Sequence, residues 1–516
     1  MPELVDYAAT AFGPSTAIVD GSERIAFAEL PHEVRRWSRA LLASGLQPGD
    51  RVGLWAPNSA AWILAALGTM CAGGTVVPIN TRFKGTEASY ILGHSDVRIL
   101  FTVTDFLGVD YVQLLREVGL TVETTVVLDG PVADGTIDRF DFLARGDSVP
   151  DDEARHRARS VGPDDISDVM FTSGTTGRPK GAMVTHGQNL RIVDIYTEAI
   201  GLRPGDVYLI VNPFFHSFGF KAGWLSCLLR GATALPHPVF DADEVMSRIE
   251  RERVTVLPGP PTLLHSILEH PSRPQYDLSS LRLTVTGAAS IPVELIRRVQ
   301  SERLFDVVLT AYGLTESSAV VSVSEPGDDA ETIANWSGRV IPGVEVRIVD
   351  DNGAEVPLGE PGEILVRGFN VMRGYLDDPD ATAAAIDHDG WLHSGDIGVM
   401  NERGYLRITD RKKDMFIVGG FNAYPAEIED LLLAHPDVSQ VAVVGVPDER
   451  LGEVGMAFVV PAAGTAPTGE DIIAFARTRM ANFKVPRRVA IVDALPVNAS
   501  GKVLKYELRA SASSID

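Results

Sequence analysis

The chain has 516 residues, too many for one compact domain, and its 45% hydrophobic and 22% charged content is that of a folded globular protein. Acidic residues outnumber basic ones 69 to 46, a formal net charge of −23, which repels phosphate backbones and anionic lipid and argues against nucleic acid or membrane as the main partner. An anionic ligand would need its own local pocket of lysine, arginine and backbone N–H groups.

The first ten residues lack the basic and apolar regions of a signal peptide, so a cytoplasmic chain is expected. The uncharged run from Ala60 to Val77 approaches the length of a membrane span. Gly73-Gly74 and Thr75-Val76-Val77-Pro78 instead predict a buried helix, a turn and a short strand, hence core. Cys71 and Cys227 stand far apart in apolar settings, without metal-ligand or redox spacing, and read as small buried residues of a reducing compartment. Short β-branched runs at Arg51–Trp55, Val76–Ile79, Ile99–Val103, Val207–Val211, Val254–Leu257 and Leu283–Thr286 alternate with helical patterns such as Ala242–Glu252 and Pro292–Arg303. This alternation predicts α/β layers with largely parallel sheets. Near residue 338 the character changes. Val344–Val349, the turn Asp350–Gly353 and Gly362–Gly368 predict an antiparallel, hairpin-rich patch. After the charged run Arg411–Asp414, where a hinge is expected, a helix at Tyr424–Ala434, strands at Gln440–Val446 and Met456–Val460, a helix at Asp471–Met480 and a strand at Val489–Val492 predict a small α+β domain.

The most informative segment is Phe171–Gly181. Three glycines let the backbone turn tightly and aim N–H groups inward, and Thr172, Ser173, Thr175, Thr176 and Lys180 add donors, the chemistry that cradles a polyphosphate. It fits neither the Walker pattern nor the spaced glycines of a dinucleotide site. The whole string resembles the signature loop of the adenylate-forming superfamily, which comprises acyl-CoA synthetases, luciferases and peptide-synthetase adenylation domains. Further segments resemble that family in the same order: Pro213–Gly219 its acyl-pocket and gate motif, Thr286–Ala289 its adenine-packing strand end, and Ala311–Glu316 its central motif. Gly390–Asp396 is similar to its ribose-binding pattern and Pro496–Lys505 to its catalytic-lysine pattern. Departures are small: Phe171 stands where tyrosine is common, Asn498 where threonine is frequent and Lys505 where arginine is frequent.

The resemblance implies an α/β fold: a large N-terminal domain of layered α/β subdomains plus a distorted β-barrel over 1–410, a hinge at 411–414, and a small mobile α+β domain over 415–516. It also implies an ATP-dependent acid–CoA ligase that makes an acyl-adenylate, releases pyrophosphate, then transfers the acyl group to CoA. Lys502, Glu316 and His216 are the expected catalytic residues, and Glu316 with Thr172 the Mg2+ anchor, because hard oxygen ligands hold that ion against phosphates. Nucleotide contacts are expected from Thr172, Ser173, Gly174, Thr175, Thr176, Gly177, Lys180, Gly287, Ala288, Ala289, Tyr312, Gly313, Thr315, Asp396 and Arg411. Asp396 would accept from both ribose hydroxyls, as a carboxylate does. Lys413 would be the hinge, and Gly419 and Gly420 would line the tunnel for CoA.

The acyl pocket is expected around Phe215, Phe218 and Trp224. Ser217 occupies the place where amino-acid-activating relatives carry an aspartate, so a hydrophobic carboxylic acid is favoured over a free amino acid. Within the family, Pro213–Lys221 with Ala222-Gly223-Trp224 looks most similar to CoA ligases of steroid catabolism, which act on bulky ring propanoates. The expected partners are a small carboxylic acid, ATP and CoA, with a homodimer allowed. The alternatives are an enzyme that loads a carrier protein, although no carrier segment follows residue 516, a luciferase-like oxidative reaction, and a catalytically silent nucleotide-binding homologue.

Overall fold

The apolar run that begins at Ala60 folds as a helix, Ala60–Cys71, with every residue buried, and continues into the strand Thr75–Pro78. Ser59 starts the helix by accepting the Trp62 N–H on its hydroxyl. No helix among the described residues is long and apolar enough to cross a membrane. The computed structural model describes residues 1–172, 179–287, 291–411, 414–418, 421–448, 451–480, 482–497 and 503–512. It divides into two units: Met1–Glu345 with Val366–Leu392, and Val346–Leu365 with His393–Asp516.

In the first unit an eight-stranded sheet runs in the order Gly374–Tyr375, Lys180–Thr185, Ile166–Thr172, Thr75–Pro78, Arg51–Trp55, Val97–Val103, Thr124–Asp129, Ile137–Asp138. Pairing is parallel from Ile166–Thr172 to the far edge and antiparallel across Ile166–Thr172, Lys180–Thr185 and Gly374–Tyr375. The register Thr172↔Lys180 sets the two ends of the glycine-rich segment side by side. A second sheet, Val207–Ile210, Thr233–Pro236, Thr16–Asp20, Glu23–Ala26, and a third, Leu283–Thr286, Val307–Tyr312, Ser322–Val323, Arg339–Val340, complete the unit's layers. The strand expected at Val254–Leu257 is not a full ladder member. Val256 alone bridges Tyr208 and Leu283, and the run ends at Pro258 and Pro260, which cannot donate to a ladder.

The second unit contains strands of the sheet ordered Val344–Val349, Gly362–Gly368, Leu392–Met400, Leu406–Arg411. Its other sheet runs Phe421–Ala423, Phe416–Val418, Gly452–Pro461, Val438–Asp448, with Arg488–Ile491 parallel to Gly452–Pro461. Helices Pro425–Leu433 and Gly469–Arg477 bury Ile428, Leu432, Ile472 and Ala476 in its core. A helix not anticipated from the sequence, Lys505–Ala512, adds Leu508 and Ala512 to that core. Eight residues give too short an apolar stripe to stand out.

Candidate active site

Glu316 lies in a short turn of helix, Thr315–Ser317, beyond the strand Val307–Tyr312. Its Oε1 accepts hydrogen bonds from the Thr172 hydroxyl at 3.1 Å and the Tyr375 hydroxyl at 3.0 Å, and its carbonyl accepts the Met372 N–H at 2.8 Å. Two separate segments thus hold Glu316, its carboxylate through Thr172 and Tyr375, and Thr172 lies at the start of the glycine-rich segment. Burial and the adjacent Glu316 charge raise the Tyr375 pKa far above the ordinary tyrosine range, so the phenol keeps its proton and donates. Lys180 holds its ammonium 5.3 Å from the centre of the Tyr375 ring. Tyr375 and Met372 carried no sequence signal. They arrive from a segment nearly 200 residues along the chain, whose strand Gly374–Tyr375 pairs with Lys180–Thr185 at Gly374↔Met183 and Tyr375↔Ala182.

The turn that presents Glu316 is strained. Ser318 and Ala319 both have positive φ, 55° and 98°, and the Ser318 hydroxyl is tied to the Asn370 carbonyl at 2.7 Å. Asn370 in turn donates to the Val320 carbonyl. Gly313 is obligatory, because a Cβ there would sit 1.9 Å from the Ala319 carbonyl oxygen. Gly287 follows the strand Leu283–Thr286, whose parallel neighbour Val307–Tyr312 carries Tyr312 beside it; a Cβ on Gly287 would stand 3.0 Å from the Ala311 carbonyl. Gly287 and Tyr312 thus both lie at the carboxyl ends of two parallel strands, where open α/β sheets bind ligands.

The gate segment is anchored by a residue the sequence did not single out. Buried Asn58 donates to the carbonyls of Ile210, Asn212 and His237, and accepts the Phe214 N–H at 2.8 Å. Gly219 allows the chain to fold on itself, since a Cβ would fall 2.3 Å from the carbonyls of Asn212 and Pro213. His216 is exposed, and desolvation by the protein around it lowers its pKa, which favours the neutral ring. Its Nδ1 accepts the Phe218 N–H at 3.2 Å, which leaves the proton on Nε2. Of the expected acyl wall, Phe215 and Phe218 are half-buried. Trp224 has no exposed surface: it stacks on Phe220 at 4.8 Å and meets Trp62 edge-on at 6.1 Å.

In the second unit, Asp396 is buried and pairs in antiparallel register with Arg411, so the ladder sets the two expected ribose partners opposite each other. Glu363, also missed in the sequence, accepts the Gly395 N–H at 3.3 Å and lies 3.5 Å from His393 Nδ1. Ser173, Gly174, Thr175, Thr176, Gly177, Ala288, Ala289, Lys413, Gly419, Gly420 and Lys502 lie outside the described residues.

Comparisons with known proteins agree on the family. Residues 5–376 match the family model described as AMP-binding enzyme, and residues 427–502 that of the AMP-binding enzyme C-terminal domain. The chain is 51% identical, over 98% of both chains, to a 3-[(3aS,4S,7aS)-7a-methyl-1,5-dioxo-octahydro-1H-inden-4-yl]propanoyl:CoA ligase of Rhodococcus jostii (strain RHA1). It is 48% identical to the ligase of the same description from Mycobacterium tuberculosis (strain ATCC 25618 / H37Rv), covering 99% of this chain and 98% of that one. Among solved structures, ATP-bound MatB from Rhodopseudomonas palustris is similar with a TM-score of 0.87 and 30% identity, over 100% of this chain and 99% of that one.

Proposed function

The chain belongs to the AMP-binding enzyme family, and on that premise we propose that the acid it activates is a fused-ring propanoate of steroid origin. The enzyme is an ATP-dependent acid–CoA ligase. ATP and the acid form an acyl-adenylate and pyrophosphate; the CoA thiol then displaces AMP. The substrate reading rests chiefly on near-full-length identity to two ligases named for a bicyclic diketo propanoyl-CoA. Ser217 at the gate, with half-buried Phe215 and Phe218, supports it by offering no carboxylate for an α-ammonium.

In adenylation two anions must meet, the carboxylate of the acid and the α-phosphate of ATP, so alignment and charge screening carry the rate. Glu316 and Thr172, with their oxygens 3.1 Å apart, fit a magnesium ion. Among the described residues no group of three or more His, Cys, Asp or Glu side chains gathers as a metal cage, which suits an ion that takes most of its ligands from water and phosphate. When bound, that ion would supply screening of the phosphate charge. Tyr375 and Thr172 hold the Glu316 carboxylate, Gly287 and Tyr312 would bracket the adenine, and Asp396 with Arg411 would take the ribose.

Lys502 is assigned the approach to the attacking carboxylate and the bridging oxygen, as an ammonium on a flexible stem can make. Thioester formation needs no strong base, because a thiol with a pKa of roughly 8.5 already has a reactive fraction near neutrality. It needs the thiol admitted, and a domain rotation at 411–414 about Lys413 would do that, with Gly419 and Gly420 lining the way and His216 as the gate. Two free, buried cysteines, Cys71 and Cys227, are in keeping with a cytoplasmic setting. The test is pyrophosphate release across straight-chain, aryl and polycyclic propanoic acids with ATP and CoA present. The polycyclic acids should give the highest kcat/KM; a straight-chain acid in that place would refute the reading.

A further inference from the structure

We propose that the buried Lys221–Asp168 ion pair is a positioning device for adenylation. It fixes the segment that walls the acid against the strand that carries Thr172, and so aligns the carboxylate of the acid with the α-phosphate of ATP. The inference rests on the reading above, in which the gate segment faces the acid and Thr172 with Glu316 faces the nucleotide, and adds the residues that join the two.

Lys221 follows Phe218 closely, in the segment Phe220–Leu225, where the helix widens to π geometry and Gly223 leaves helical φ/ψ altogether. A widened turn loses part of its own hydrogen-bond ladder. Its carbonyls are taken by side chains instead: Ser226 donates to Lys221 O at 2.8 Å and Tyr208 to Ala222 O at 2.8 Å. Such a segment does not hold its place as a regular helix does, so anchors from outside decide where its side chains stand. Asn58 supplies one, at the Phe214 N–H. Lys221 supplies another. Its side chain is 1% exposed, and Nζ stands 3.1 Å from Oδ2 of Asp168, a side chain with no exposure at all.

Asp168 is itself held. Its Oδ1 accepts from the Ser167 hydroxyl at 2.7 Å and from the amide of Asn189, on the helix His186–Ala199. From Asp168 onward the strand Ile166–Thr172 pairs with Lys180–Thr185 without a register shift, as far as Thr172↔Lys180. Side chains alternate along a strand, so Asp168 and Thr172 share one face, about 13 Å apart at roughly 3.3 Å of rise per residue. At the other end of that span Thr172 donates to Glu316 Oε1 at 3.1 Å. One face of one strand thus carries the anchor of the acid side and the anchor of the nucleotide side.

An ion pair taken wholly out of water adds little net stability, because desolvation offsets the attraction, and apolar side chains of similar volume serve as well or better. What apolar side chains lack is a preferred partner: they slide past one another at small cost, whereas two buried opposite charges hold one separation. Adenylation needs that precision. The acid and ATP bind separately and react in line, and a misplacement of about 1 Å costs on the order of 100-fold in rate. Once the acyl-adenylate exists, a covalent bond keeps the two parts together and the tie has done its work.

The experiment measures both half-reactions with a polycyclic propanoic acid on the unaltered enzyme and on two double variants. Lys221→Met with Asp168→Leu makes the joint apolar and leaves no buried charge unpaired. Lys221→Gln with Asp168→Asn keeps a neutral hydrogen-bonded link and the oxygen that Ser167 and Asn189 address. The apolar variant should match or exceed the Tm of the unaltered enzyme. Its pyrophosphate exchange at saturating acid and ATP should fall about 10- to 100-fold, with KM for both substrates little changed. CoA transfer from a synthetic acyl-adenylate should be preserved, and the amide variant should recover most of the lost exchange. Undiminished exchange in the apolar variant would overturn the proposal, as would equal loss of both half-reactions or an amide variant no better than the apolar one. A fall in the Tm of the apolar variant would mark the pair as structural and overturn it too. An unaltered enzyme that exchanges no pyrophosphate with this acid would refute the ring-propanoate reading instead, a separate outcome.

Discussion

Replacing Tyr375 by phenylalanine removes one hydroxyl from the site and little else. The ring stays beneath the Lys180 ammonium and the strand Gly374–Tyr375 keeps its pairing with Met183 and Ala182, since neither involves the phenol. What is lost is the 3.0 Å hydrogen bond to Glu316 Oε1. A hydrogen bond to a charged group contributes roughly 1.5–3 kcal/mol, or about 10- to 150-fold in rate where it acts only through the transition state. Thr172 still holds the same oxygen at 3.1 Å, so the expected loss is at the lower end, about 10- to 30-fold. Because Tyr375 keeps its proton far above its ordinary range, the loss should be the same across about pH 6 to 9. The measurement is acid-dependent exchange of labelled pyrophosphate into ATP, set against CoA transfer from a synthetic acyl-adenylate. Loss in the first with the second preserved supports Tyr375 as the residue that positions Glu316. Undiminished exchange, or equal loss of both half-reactions with a fall in Tm, would refute it.

Lys502→Ala should abolish adenylate formation while sparing CoA transfer from supplied adenylate; equal loss of both would remove Lys502 from its assigned role. Gly313→Ala should lower Tm and adenylation together, at or above the upper end of the roughly 1–3 kcal/mol typical of overpacking, because the new Cβ meets backbone 1.9 Å away. Calorimetry and pyrophosphate exchange on the purified variant check this, and a native Tm would contradict it. Alkaline titration should unfold the protein from about pH 10 upward. Burial pushes the Tyr111 phenol up to about 12 and raises Tyr196 and Tyr208 as well, so these groups ionise more readily in the unfolded chain. Their contribution is complete below about pH 10 and is lost as the pH climbs; for Tyr111 the two-unit gap corresponds to roughly 3 kcal/mol. Circular dichroism followed between about pH 8 and 12 reads it out, and a flat signal would refute it.

Local pattern and motif chemistry are properties of short stretches, and these the sequence determined by itself. The buried helix Ala60–Cys71 and strand Thr75–Pro78 could be read from an uncharged run broken by two glycines. The strands Val344–Val349 and Gly362–Gly368 follow from alternation around a turn. Gly313 and Glu316 could be named because a glycine beside a carboxylate, in a known string, already implies close backbone approach and a phosphate-side anchor. The strand expected at Val254–Leu257 shows the limit, since whether a β-branched run becomes a ladder depends on its neighbours, and there only Val256 finds bridges.

Only the tertiary structure decided which distant residues complete the site. Tyr375 reaches Glu316 across 59 positions, and Asn58 reaches Phe214 across 156. Neither residue has a signature, because a tyrosine or an asparagine alone looks like any other surface or core side chain. Their roles come from strand order and from burial, which set the distance between groups and remove the water that would otherwise satisfy them. Backbone periodicity is written in neighbouring residues, whereas the pairing of buried polar groups is written only in the folded space they share.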